Sequence, residues 1–252
     1  MTGHKKYYIT SPIYYVNDVP HIGHAYTTLA CDVIARFKRL DGFEVHFLTG
    51  TDEHGQKVEK SASAAGIYPQ EFTDRVSKNF QDLAVSMNFS NDDFIRTTEK
   101  RHIVAAQAIW KKLKDNGHIY LGTYAGWYAV RDEAFYDESE LTELEGGGKV
   151  APSGAEVEWV EEPSYFFNLS EWQEPLLNFY QENPDFIAPK SRRNEVISFV
   201  KGGLRDLSIS RTSFKWGVPV PDDTDHIMYV WLDALTNYIT AVGYPVEDKS
   251  FS

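Results

Sequence analysis

A chain of 252 residues, 42% hydrophobic and 14% aromatic, is long enough to bury a substantial core and is expected to form two domains. Its net charge of −12 excludes a protein that coats nucleic acid through bulk charge, so any RNA contact has to come from a local basic patch. The single cysteine, Cys31, excludes a disulfide framework and a cysteine-ligated zinc site. No apolar run approaches a membrane span, and the first residues read as neither a secretory nor an Arg-rich transit leader. The expectation is a soluble cytoplasmic protein, with a mitochondrial location as the alternative.

Lys6–Thr10 is a β-rich segment, and Ser11–Asp18 reads as a loop. Ala25–Leu40 reads as a helix with Leu29, Val33, Phe37 and Leu40 on one stripe; Asn17 or Asp18 can cap it, and Pro20 suits its first turn. Between strand and helix lies Pro20-His21-Ile22-Gly23-His24. A helix start after a strand presents free N–H groups and a positive dipole end, where phosphate can sit. His21 and His24, three residues apart, share one helix face toward that anion, and Gly23 removes a side chain that would hold a purine off the backbone. Surface or capping histidines are the plainer reading of the pair; the strand-before, helix-after context favours a nucleotide site without a Walker lysine.

Glu44–Leu48 reads as a short strand ending in Thr49-Gly-Thr-Asp-Glu-His-Gly55. Helical stretches follow over 57–65 and 71–87, a strand over 93–95, and a helix from Glu99 to Leu113 closed by Asn116-Gly117. Such alternation predicts a parallel, doubly wound sheet. From 118 to 225 the texture changes to short aromatic strands, among them 126–130 and 165–169. Gly146-Gly147-Gly148 reads as a loop tip. Asp132, Glu133, Asp137, Glu138, Glu140, Glu143 and Glu145 read as a solvated acidic face rather than a metal site. Lys190, Arg192, Arg193, Lys201, Arg205, Arg211 and Lys215 then reverse the sign, as either a phosphate-backbone patch or plain surface. Residues 228–240 return to helical spacing, with an apolar stripe ordinarily read as core. The organisation expected is half of a Rossmann-type domain over 1–117, an insertion over 118–225, and the start of the second half over 226–252.

Five blocks in order carry a resemblance: Ser11–His24, Thr49–Gly55, Arg192–Gly203, Asp206–Arg211 with Trp216–Pro221, and Tyr229–Tyr238. With them the chain resembles the methionyl-tRNA synthetase family of class I aminoacyl-tRNA synthetases, in the subtype whose insertion lacks zinc-binding cysteines. The resemblance implies an α/β fold, a class I synthetase Rossmann-type doubly wound parallel sheet split by an inserted connective-peptide α+β domain. It implies activation of methionine with ATP, as its magnesium complex, to methionyl-adenylate and pyrophosphate, then transfer to initiator and elongator methionine tRNA. No structural zinc and no membrane partner are expected.

His21 and His24 match the family's catalytic pair, and Tyr14, Asn17, His21, Gly23 and His24 its ATP site. Asp52 would take the methionine ammonium group, and Ile13, Tyr15, Trp231, Ala234, Leu235 and Tyr238 match the amino-acid pocket, where aromatic rings suit a thioether. Spacing alone would assign Trp231 and Tyr238 to core packing. Arg192, Arg193, Lys201 and Arg211 are the tRNA-contact candidates, Arg211 reading almost as readily as a surface ion pair; His54 either holds Asp52 or caps a turn. The family's second nucleotide motif, Lys-Met-Ser-Lys-Ser, does not occur before Ser252, so the chain reads as an N-terminal catalytic fragment. Two other readings remain open: a different nucleotidyltransferase with the same histidine motif, and an idle fragment or split partner that binds tRNA or protein.

Overall fold

The computed structural model describes residues 5–132, 134–144 and 147–246; Glu133, Glu145 and Gly146 of the expected acidic run and glycine loop lie outside the described residues. The first part is built from β1 (Lys6–Thr10), β2 (Tyr14–Tyr15), α1 (Ile22–Leu40), β3 (Glu44–Asp52), α2 (Gln56–Ala64), α3 (Pro69–Ser86), β4 (Asp93–Arg96) and α4 (Lys100–Asp115). β3 is central: β1 pairs with it at Lys6–Glu44 through Thr10–Leu48, β2 at Tyr14–Thr51 and Tyr15–Asp52, and β4 at Leu48–Asp93 through Thr51–Arg96, all parallel. This is the expected parallel α/β layout. β3 runs four residues beyond the expected Leu48, and Phe47–Asp52 are all buried. Gly50 lets β4 approach, because a Cβ there would lie 2.1 Å from the Ile95 carbonyl oxygen.

α1 starts at Ile22, three residues earlier than the periodicity predicts, and its apolar stripe faces outward: Leu29 is 41% exposed, Val33 59%, Phe37 61% and Leu40 89%. The face against the sheet is Thr28, Asp32 and Ala35. Small side chains let helix and sheet approach closely, and Asp32 is answered there by Arg36 Nε at 2.7 Å and by the Ser90 amide and hydroxyl, each at 2.6 Å. Two residues assigned to loop, Tyr14 and Tyr15, instead form β2.

The second part holds β5 (Ile119–Ala129), β6 (Ala134–Tyr136), β7 (Thr142–Glu143), β8 (Lys149–Val150), β9 (Glu156–Phe167), α5 (Gln173–Glu182), α6 (Lys190–Lys201), β10 (Leu207–Ser208), β11 (Ser210–Arg211), β12 (Pro219–Val220), β13 (Asp223–Met228) and α7 (Val230–Thr240). β5 and β9 pair antiparallel along ten residues and form the spine of a six-stranded sheet, order β6-β5-β9-β8-β7, with β10 on β9. This region is therefore more regular than its texture suggests, with two long strands and two helices, α5 and α6, that the aromatic and charged residues conceal. Met228 ends a strand instead of opening the last helix.

The two parts share a core. Ala106 and Trp110 of α4 pack with Ile119, Tyr165, Ile209, Val218, Val220 and Met228. A second cluster joins Tyr14 and Val16 to Val58, Ala62, Phe72, Val76 and Phe80 beneath α2 and α3. Trp110 is fully buried and meets Tyr165 edge-on at 5.2 Å. Trp110→Ala should cost ~3–5 kcal/mol in urea denaturation, as large-to-small core changes do, and Trp110→Phe less than half as much.

Candidate functional site

The histidine turn is organised by its own side chains. His21 is the N-cap of α1, with extended backbone, and its Nδ1 accepts from the Gly23 amide at 3.0 Å. His24 Nδ1 accepts from the His21 amide at 3.1 Å, which closes a reciprocal capping box. Neither Asn17 nor Asp18 is the cap: Asp18 Oδ1 accepts from the Val19 amide at 2.7 Å, and Asn17 is exposed on the preceding loop. Gly23 is needed first by this cap, since a Cβ there would sit 2.8 Å from His21 Cε1. With both Nδ1 atoms accepting, the neutral rings carry their protons on Nε2, giving two N–H donors at a helix start. The rings lie 3.9 Å apart, and His24 rests edge-on against Tyr14 at 4.7 Å and Phe80 at 5.2 Å. Burial, and then the neighbouring His21, hold the His24 imidazole below its ordinary pKa. Tyr14 is itself buried under His24, with its hydroxyl 2.7 Å from Thr28 Oγ1.

At the carboxyl end of β3, three ionisable residues in succession go to three different places. Asp52 faces a cavity of about 200 Å³, which Tyr15 of β2 also lines. Glu53, fully buried, takes Arg96 Nε at 2.7 Å and Nη2 at 2.9 Å, with hydroxyl donors Thr51 at 2.7 Å and Thr98 at 2.6 Å. His54 turns to α7, its Nδ1 2.7 Å from Asp233 Oδ2, and its ring meets Trp216 edge-on at 5.6 Å. Burial alone would push the His54 imidazole down; the charge and hydrogen bond of Asp233, with Asp52 and Glu53 behind it, hold it above the ordinary value. Burial likewise works to raise Asp233, but His54 and His102 hold its carboxyl well below the usual range. The Val16 amide donates to the Asp52 carbonyl at 3.2 Å, tying the segment that leads into the histidine turn to this strand end.

The other pocket candidates are distributed more widely. Ile13 is half-buried on the loop before β2. Trp231, Ala234, Leu235 and Tyr238 share the open face of α7, with Trp231 50% and Leu235 58% exposed, so neither is core. The cavity beside Asp52 takes Tyr229, Val230 and Asp233 from the start of α7, and Tyr128 and Phe214 from the second part. Tyr8 of β1 donates its hydroxyl to the Tyr238 carbonyl at 2.8 Å and ties the far end of α7 to the sheet.

Arg192, Arg193 and Lys201 ride together on α6. Arg192 pairs with Glu195 at 2.6 Å, and Arg193 Nη2 donates to the Tyr180 carbonyl at 3.0 Å. Arg211 is elsewhere and buried: Nη1 donates to Ser208 Oγ at 2.6 Å and the Ser210 carbonyl at 2.7 Å, Glu162 lies 3.6 Å from Nε, and the guanidinium sits 3.7 Å over the Tyr229 ring. Sequence reasoning missed Glu53, His102 and Asp233. One signal existed for Asp233, an acid within the apolar run Val230–Leu235, since a buried carboxylate requires partners.

The family model for tRNA synthetases class I (M) matches residues 7–252. The methionine–tRNA ligase of Rickettsia bellii is 68% identical over 245 residues, 97% of this chain and 47% of that protein. That of Rickettsia typhi is 68% identical over 246 residues, 98% of this chain and 48% of that protein. A crystal structure of Mycobacterium tuberculosis methionyl-tRNA synthetase bound by methionyl-adenylate matches with TM-score 0.92 at 54% identity, covering 98% of this chain and 49% of that one. The chain spans about half the length of the curated relatives it matches.

Arg96→Met strands the Glu53 charge in the interior. Breaking a buried pair on one side costs ~3–5 kcal/mol, so urea denaturation should show a loss near the lower figure, because Arg96 keeps 20% of its side chain in solvent.

Proposed function

The chain belongs to the class I (M) family of tRNA synthetases, with its Rossmann-type fold, and from that premise we propose that it carries the methionine- and ATP-binding part of a methionine–tRNA ligase. The observation that carries this reading is the Val16–Asp52 backbone bond, which ties the segment leading into a helix start with two imidazole donors to a strand end with a buried carboxylate. An amino acid and a nucleotide can then be held together.

In the proposed reaction the methionine carboxylate attacks the α-phosphorus of ATP. A carboxylate O–P bond forms, the bridging bond to the β-phosphate breaks, and pyrophosphate leaves with its electrons. No protein nucleophile is required; His21 and His24 donate Nε2–H to phosphate oxygens as charge builds there. Asp52 neutralises the ammonium group, and Tyr15 and the open face of α7, with Ile13, Trp231, Ala234, Leu235 and Tyr238, surround the thioether. A tRNA terminal hydroxyl then attacks the methionyl carbonyl, losing its proton and releasing AMP. ATP enters as its magnesium complex, a substrate. The one cysteine, Cys31, leaves no thiolate set for a structural zinc.

The domain division we favour is 1–117 for the first half of the catalytic fold, 118–225 for an inserted domain and a return to the catalytic fold from 226. Initiator and elongator methionine tRNAs are the polymer substrates, with Arg192, Arg193 and Lys201, all carried by α6, as the residues that meet phosphate. Cytoplasm is the proposed location, and a mitochondrial one is the alternative; no helix among the described residues is long and apolar enough to cross a membrane.

Calorimetric titration of the chain with a panel of amino acids should give heat with methionine and not with leucine. Asp52→Asn should weaken methionine at least thirtyfold, from ~2 kcal/mol or more for one partner of a buried charge pair, with ATP affinity within threefold of the parent. Equal loss of both ligands, or no preference for methionine, overturns the assignment. Reversing Arg192 and Arg193 to Glu should weaken tRNA binding and lower its salt slope by roughly 1 per arginine, read by filter binding across a salt series.

A further inference from the structure

α7 has an unusual buried face. The residues it buries fully are Asp233, Thr236, Asn237 and Thr240, none of them hydrophobic, while Trp231, Leu235 and Ile239 are exposed. Three of these four bond α7's own backbone: Thr236 Oγ1 donates to the Leu232 carbonyl at 2.6 Å, Asn237 Nδ2 to Ala234 at 2.6 Å, and Thr240 Oγ1 to Thr236 at 2.9 Å. Such bonds do not fix where a helix sits on its neighbours. Asp233 does reach outward. One carboxylate oxygen lies 2.7 Å from His54 Nδ1 at the end of β3, the other 2.7 Å from His102 Nε2 on α4. Both histidines are buried, as is Asp233.

We propose that Asp233 is a positioning residue, which fixes the first turn of α7 against the strand end carrying Asp52 by bridging His54 and His102. Tyr229, Val230 and Asp233 line the same cavity as Asp52, so the bridge sets the distance between the proposed ammonium site and the helix that bounds the thioether pocket. A carboxylate with both oxygens engaged by rigid rings resists rotation of the helix about its axis. One turn carries 3.6 residues, so a rotation by one residue would move Val230 and Asp233 off the cavity. The charges facing His54 come from Asp52 and Glu53 on its own strand end and from Asp233 on α7, with His102 of α4 on the far oxygen. The inference deepens the methionine reading and rests on it for the identity of the ligand.

The test uses the whole chain and two readouts. In Asp233→Asn, both imidazoles lose the negative charge and one of them faces an NH2 group in place of an acceptor, while side-chain volume is kept. Amides 230–234 should then exchange with deuterium at least tenfold faster, with α3 and β3 unchanged, and the methionine Kd should rise at least tenfold with ATP affinity within threefold. His102→Leu should reproduce both effects, and His102→Gln, which keeps an N–H donor near the Nε2 position, should restore methionine affinity to within threefold of the parent. Unchanged exchange across 230–234 overturns the positioning role whatever ligand the cavity takes, as does His102→Gln behaving like His102→Leu. Faster exchange in Asp233→Asn together with a parent chain that ignores methionine upholds the positioning role and overturns the methionine reading alone.

Discussion

Charge buried at the carboxyl end of β3 governs how the site is assembled. Asp52, Glu53 and His54 follow one another at the end of a strand whose last six residues are buried, and an ionised group there cannot be left without a partner. The chain meets this by drawing partners from distant segments: Arg96 from the end of β4 for Glu53, Asp233 from α7 for His54, and His102 from α4 to share Asp233. Each pairing pulls an element into place around the cavity. Asp52, the first of the three, lines that cavity between neighbours whose charges are already matched.

The same economy of contacts joins the parallel and antiparallel parts. α4 contributes Ala106 and Trp110 to the shared core and His102 to the charge bridge. His102 and Ala106 are four residues apart and so lie one above the other on the helix. One helix face thus holds the antiparallel strands by apolar contact and α7 by electrostatics. The cavity beside Asp52 takes walls from both parts, Tyr15 from the first and Tyr128 and Phe214 from the second.

Much of this was legible in the sequence wherever local pattern decides the outcome. The β1–turn–α1 unit, the first half of β3, and the helices over α2, α3 and α4 follow from periodicity and breakers, as does the parallel layout. Periodicity reports that a helix is two-faced, not which face is covered, and on α1 the polar face of Thr28 and Asp32 turned inward while Leu29, Val33 and Phe37 turned out. Reading charge by runs likewise treats neighbours in sequence as neighbours in space. Arg211 was grouped with the arginines of α6, yet tertiary packing buries it against Glu162 and the Tyr229 ring. His102 and Asp233 stand 131 residues apart, and nothing local announces their meeting.

His24 offers one lone pair on Nδ1, and the His21 amide already occupies it. Acid that protonated this nitrogen would turn an acceptor into a donor, set two N–H groups against each other and fray the opening turn of α1. A cationic His24 and an intact helix start are therefore alternatives. Acidification would dismantle the cap that shapes this turn, even as it added positive charge there.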